Sequence, residues 1–244
     1  MVQNIFKGIK AYASALGLIS TLGLWKYFAV PVLISFITAS LIGLSAWSWS
    51  DNIANTIDLL WIWEWGADWF HGFAEILGGI LIIILGLIVY KHIVMALSAP
   101  FISPVSTAIE RHFLGDKHIH RNTSNTSQLW RGIRINVRNL TMEIFITIPL
   151  LILSLVPVLN IVTTVLLFLV QAYYAGFGNM DYTLERHYGY KESVGFVKRH
   201  KGVAIGNGII FTIMLFIPVI GVLMVLPLSV TAATSQTIKF IQDK

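Results

Sequence analysis

The chain has 244 residues, of which 56% are hydrophobic and only 12% are charged, against roughly 25% charged in an ordinary soluble domain. So few charges cannot clothe the surface of a globule this size, which excludes a water-soluble monomer. The absence of cysteine excludes disulfide frameworks, thiolate catalysis and thiolate metal sites, and the net charge of +5 reads as membrane orientation, with no nucleic acid as partner.

Residues 1–26 come first. Ile5, Ile9, Tyr12, Leu16 and Ile19 fall on one helical face, with Lys7, Lys10 and Ser14 off it. That pattern predicts an amphipathic helix lying in the membrane interface. Ser14, Ser20 and Thr21 interrupt its apolar stretch and Lys26 closes it, so the reading is a retained helix, not a cleaved signal.

Residues 27–49 are free of charge and open with Pro31 in the first turn, where the lost N–H costs little. They predict a first transmembrane helix. Residues 50–75 are of another kind, with Asp51, Asp58, Glu64, Asp68 and Glu75 but no Lys or Arg. Trp47, Trp49, Trp61, Trp63, Trp65 and Trp69 gather around them like an aromatic belt at headgroup level. A second transmembrane helix is predicted over 70–99, and its apolar character resumes to 109 across Pro100 and Pro104.

Polar, basic sequence occupies 110–143. Two charge-free runs follow, 144–180 and 202–238, each 37 residues long, with the charged stretch 181–201 between them. Pro157 with Asn160 breaks the first run, and Pro218 with Gly221 breaks the second, 61 residues later. The pattern is a repeat of two Pro-broken helical hairpins.

Lys and Arg number three in 1–26, none in 50–75, six in 110–143, five in 181–201 and two in the tail. Positive loops stay cytoplasmic, so both termini are expected inside and the Trp-rich acidic loop outside. Two crossings of a core about 30 Å thick take about 40 helical residues plus a turn. With 37 residues per run, and 13 in the first arm (144–156), partial penetration from the cytoplasm is the expectation. The whole reads as a single all-α membrane domain.

Several features together resemble the CysZ-type sulfate permeases, which are related to the etoposide-induced membrane proteins. They are Gly23 and Leu24 before a basic position, Ala99, Pro100 and Phe101 after the second span, and the Arg-rich lead into a Pro-x-x-Asn hairpin. Asp181 and Tyr182 at the hairpin exit, the segment 191–201 and the second hairpin complete the match, which covers nearly the whole chain. The resemblance implies two full transmembrane helices, two half-penetrating hairpins, a homo-oligomer, and sulfate uptake for cysteine synthesis across a bacterial inner membrane. It also implies an anion site at Gly23, Leu24, Trp25 and Lys26. Sulfate-binding members carry two arginines where this chain has Trp25 and Lys26, so the ammonium is kept and the bidentate guanidinium fork is lost.

The residues themselves suggest further roles. Gly23 to Lys26 open a helix, whose exposed N–H groups attract anions, although Trp25 and Lys26 also suit a plain interfacial anchor. Arg131, Arg134 and Arg138, at i, i+3 and i+7, share a helical face that would funnel an anion or pair with lipid phosphates. Lys91 within an apolar stretch marks a pathway or snorkels to the inner boundary. Asn160, Thr164 and Asn207 would line an aqueous route or join helices. His112, His118 and His120 have no metal-ligand spacing. With no phosphate loop, nucleophile elbow or paired carboxylates, the chain reads as a non-enzyme without cofactors. Two function classes follow: a transporter or channel for a small oxyanion, or a membrane-shaping scaffold that binds acidic lipids.

Overall fold

The computed structural model describes residues 1–58, 67–115, 124–154, 156–217 and 220–242. Among these residues every regular element is helical. They are α1 (Val2–Thr21), a 3-10 turn (Leu24–Phe28), α2 (Ala29–Asp58), α3 (Ala67–Leu114), α4 (Asn125–Ser154), α5 (Pro157–His187), α6 (Tyr190–Arg199), α7 (Lys201–Leu215) and α8 (Ile220–Gln242). Trp61, Trp63, Glu64 and Trp65 of the acidic loop, His118 and His120, and Pro218 of the second hairpin lie outside the described residues.

Several helices extend beyond the stretches predicted from charge: α2 runs to Asp58, α5 to His187 and α8 to Gln242, and α3 and α4 extend furthest. The first arm of the first hairpin, expected to hold 13 residues, is the end of α4, which starts at Asn125 and runs for 30 residues, about 45 Å. Charge reports where lipid would end, whereas a helix continues wherever its charged side chains find protein partners. α3 likewise passes 99 and runs through Pro100 and Pro104 over 48 residues, about 72 Å. Pro100 withdraws the N–H that the Ala96 carbonyl would accept four residues on. Gly132 of α4 lies against that carbonyl: a Cβ there would stand 3.1 Å from it and 2.8 Å from the Ala99 Cβ. Glycine thus lets α4 close on the proline-modified turn.

The chain divides into two compact units, one of 35–91 and one of 1–34 with 92–244. In the smaller, α2 and the first half of α3 run antiparallel, with Gly86 against the Ile42 side chain. Gly43, Ala46 and Ser50 face Gly72 and Gly79 across a cleft of about 470 Å³.

In the larger unit α7 is held between α1 and α5 by small residues, the kind of contact that lets helix backbones approach closely. A Cβ on Gly206 would collide with the Ile5 carbonyl, and one on Gly202 would stand 2.8 Å from the Met1 carbonyl. On the other side, Gly208 meets the Ala172 backbone and Gly176 of α5 meets the Ala204 backbone. Beside this seam Phe177, Met180, Leu184, Phe196, Val203 and Ala233 form a core.

The two sequence-matched hairpins occupy opposite environments. The apolar windows of α4 and α5 are only 17% and 22% buried, against 61% for Ile88–Leu114 of α3. Phe145, Ile148, Ile152, Val158, Ile161 and Val165 all face outward around the first turn. By contrast α7 and α8 are mostly interior, with Phe211, Leu226, Val230 and Ala233 buried.

Candidate functional site

The predicted anion motif begins at a left-handed residue. Gly23 has φ 61° and ψ 36° and redirects the chain from α1 into the 3-10 turn, a conformation that glycine adopts without a Cβ penalty. Its own N–H bonds the Ser20 carbonyl at 3.2 Å. The N–H groups of Leu24 and Trp25 come next, before the 3-10 ladder has begun, and have no backbone acceptor among the described residues. Leu24 is buried and anchors the turn, whereas Trp25 and Lys26 are exposed. Trp25 leans on Phe28 at 5.0 Å between ring centres, and Lys26 Nζ lies 5.2 Å from the centre of the Tyr27 ring. The turn thus carries two N–H groups without a backbone acceptor among the described residues and, on its exposed side, the Lys26 ammonium.

The three arginines do share a face of α4, and that face is turned onto α5 and α6. Arg131 grips Asp181 with two bonds, Nε to Oδ2 at 3.0 Å and Nη2 to Oδ1 at 2.9 Å. Its remaining donors reach the Tyr188 carbonyl at 2.9 Å and Ser193 Oγ at 2.7 Å. Arg134 stacks 4.0 Å over the Tyr190 ring. Arg138 lies 5.2 Å from the Phe177 ring centre and donates to Asn139 Oδ1. Arg134 alone of the three is exposed.

The polar residues singled out in the hairpins are not gathered into one site. Asn160 is exposed and donates to the Ser154 carbonyl at 2.9 Å, closing the turn between α4 and α5. Thr164 is exposed one turn further on. Asn207 is in the interior, accepting from Asn179 Nδ2 at 2.8 Å and donating to the Ser229 carbonyl at 2.9 Å. Asn179 is 19 residues along α5 from Asn160, about 28 Å of helix. Lys91 is 2% exposed, a buried ammonium and not one that snorkels to an edge. His112 packs edge-on against Phe113.

A buried polar layer in the larger unit escaped sequence reading. Arg186 donates from Nε to Glu110 Oε2 at 2.7 Å, from Nη2 to Ser106 Oγ at 2.7 Å and from Nη1 to the Tyr182 carbonyl at 2.8 Å. His187 Nε2 donates to Glu110 Oε1 at 2.7 Å. Beside them the hydroxyls of Ser106, Thr183 and Thr234 form a ring with edges of 2.9 to 3.0 Å, and Ser103 donates to Glu185. Further along α3, His92 Nε2 donates to Glu143 Oε2 at 2.9 Å, and its Nδ1 faces Asn136 Oδ1. Charges this deep are tolerated when paired and hydrogen-bonded, and here they lock α3, α4, α5 and α8 together. The visible clue was spacing: Asp181, Glu185 and Arg186 continue the helical period of the apolar run before them instead of starting a loop.

A family model described as "Sulfate transporter CysZ/Etoposide-induced protein 2.4" matches residues 11–225. The chain belongs to this family. No curated protein matches it. As a member of a transporter family with four helices long and apolar enough to cross a bilayer among its described residues, the protein is a multi-pass membrane protein.

Proposed function

We propose that this protein passes a small oxyanion, sulfate in the first instance, across the cytoplasmic membrane of a bacterium without ATP hydrolysis. Family membership over residues 11–225 is the observation that carries the reading. In this account the turn at Gly23 to Lys26 is where the anion is met. The free N–H groups of Leu24 and Trp25 and the Lys26 ammonium supply donors and charge, and exposed Arg134 is the member of the basic face left to guide an anion toward the first hairpin. Lys26 offers a single point charge, so affinity rests more on the backbone donors than in a relative with two guanidinium groups.

The membrane arrangement follows the charge count. Both termini face the cytoplasm, and α2 with the first half of α3 crosses the bilayer. The exposed apolar end of the first hairpin enters from the inside. From Ile144 to Ser154, α4 supplies 11 residues, about 16 Å, or half of a core about 30 Å thick. α7 has 15 residues, about 22 Å, also short of a crossing. One chain encloses little with two such wedges, so the pore is assembled from several copies of the chain, with lipid around the outward apolar faces.

A calorimetric panel on the purified protein tests the anion site. Sulfate or sulfite should bind more tightly than chloride, and Lys26→Glu should weaken that binding by about tenfold or more. Equal heats for all anions in both proteins would remove the site. The second reading, a membrane-shaping scaffold without transport, draws on the outward-facing apolar end of the first hairpin.

A further inference from the structure

A cleft of about 380 Å³ opens between α1 and α8, lined by Lys7, Lys10, Ser14, Gln236, Lys239 and Phe240. Helices from opposite ends of the chain thus bring three ammonium groups to one concavity. Like charges repel at such range, and exposed lysines in contact with acids relieve this by ion pairing. Among the described residues α1 and α8 offer no such relief. No Asp or Glu precedes Asp51 in the sequence, and α8 contains none. Lys7 Nζ instead lies 5.6 Å from the Phe240 ring centre, a contact that holds an ammonium at the cleft wall. Gln236, 9% exposed, forms part of the floor. A concave surface with three cations, a carboxamide and an aromatic wall, and with no carboxylate among its described lining residues, is complementary to a multiply charged oxyanion that carries an organic group.

We infer that this cleft binds a phosphate-bearing anion, at a site separate from the turn at Gly23. Lysine binds phosphate as a point charge without demanding planar geometry, and two or more ammonium groups are matched by a group with more than one negative charge. The shared chemistry has two sources, the headgroup of an acidic phospholipid or a soluble phosphate compound. On the orientation proposed above, the cleft faces the cytoplasm, where both are present. The inference about binding does not depend on transport.

Purified full-length protein separates the possibilities. Inorganic phosphate is titrated calorimetrically, and retention of phosphatidic acid against phosphatidylcholine is read by native mass spectrometry. The wild type should bind at least one of the phosphate-bearing probes. The K7Q/K10Q/K239Q variant should weaken it by about tenfold or more, while Lys191→Gln, which removes an exposed lysine of α6, leaves it unchanged. Retained phosphatidic acid without phosphate binding assigns a lipid site, and phosphate binding in solution assigns a soluble ligand. Binding of neither probe, equal binding by the triple variant, or equal loss in Lys191→Gln would overturn the inference. All three lysines are exposed, so the variant should fold; if its thermal unfolding shows otherwise, K10Q and K239Q singly carry the same test, with a weakening of about threefold each.

Discussion

Tyr12 shows how much a single side chain holds in this fold. Its hydroxyl lies 2.8 Å from the Asn207 carbonyl and 2.7 Å from Ser229 Oγ, and so joins α1, α7 and α8. Burial pushes its ionisation well above the ordinary tyrosine range, so it stays a neutral donor. Tyr12→Phe should cost about 1 kcal/mol and lower the unfolding midpoint in detergent by about 2–4 °C. Arg131 poses a sharper case, because Asp181 beside it is only 8% exposed. Arg131→Ala strands that carboxylate and should cost about 3–5 kcal/mol. A double variant with Asp181→Asn should recover part of the loss, and thermal unfolding of all three proteins gives the coupling. Strictly additive losses would mean that the pair does not act as a pair.

At the level of helices, the seam between α5 and α7 depends on the absence of side chains. Gly208→Ala would drive a methyl group into the Ala172 backbone, an overpacking cost of about 1–3 kcal/mol or more. Gly17→Ala, where nothing lies within 4 Å, should be neutral or stabilise α1 slightly. Comparing the unfolding midpoints of the two variants checks the close approach, and equal midpoints would contradict it. The same small-residue logic explains why the face of α1 differs from its predicted one. The sequence pattern singled out Ile5, Ile9, Tyr12, Leu16 and Ile19, but the buried set is Gly8, Ala11, Tyr12, Ala15 and Ile19, with Leu16 45% exposed. A rule that sends the largest apolar residues inward suits water; a helix packed on another by close backbone contact buries its small face. The helix break between α4 and α5 was legible because Pro157 marks it directly. Pairing of Glu110 with Arg186, or of His92 with Glu143, was not legible, since it links positions 76 and 51 residues apart and no local pattern connects them.

Across the whole molecule, scarcity of charge has two consequences. The outward apolar surface of α4 and α5 requires lipid or other copies of the chain, and the few buried charges are mostly committed to one another. In the proposed reading the turn at Gly23, with the Leu24 and Trp25 N–H groups and Lys26, is where the transported anion meets its donors. We propose that sulfate passes the membrane by way of this turn. This is tested most directly by radiolabelled sulfate flux into proteoliposomes of the wild type and of Lys26→Glu, under imposed sulfate and pH gradients. The account predicts uptake above that of empty liposomes for the wild type, and loss of most of it for Lys26→Glu. Wild-type flux equal to empty liposomes under every gradient would contradict transport and favour the scaffold, and undiminished flux through Lys26→Glu would remove the turn from the pathway.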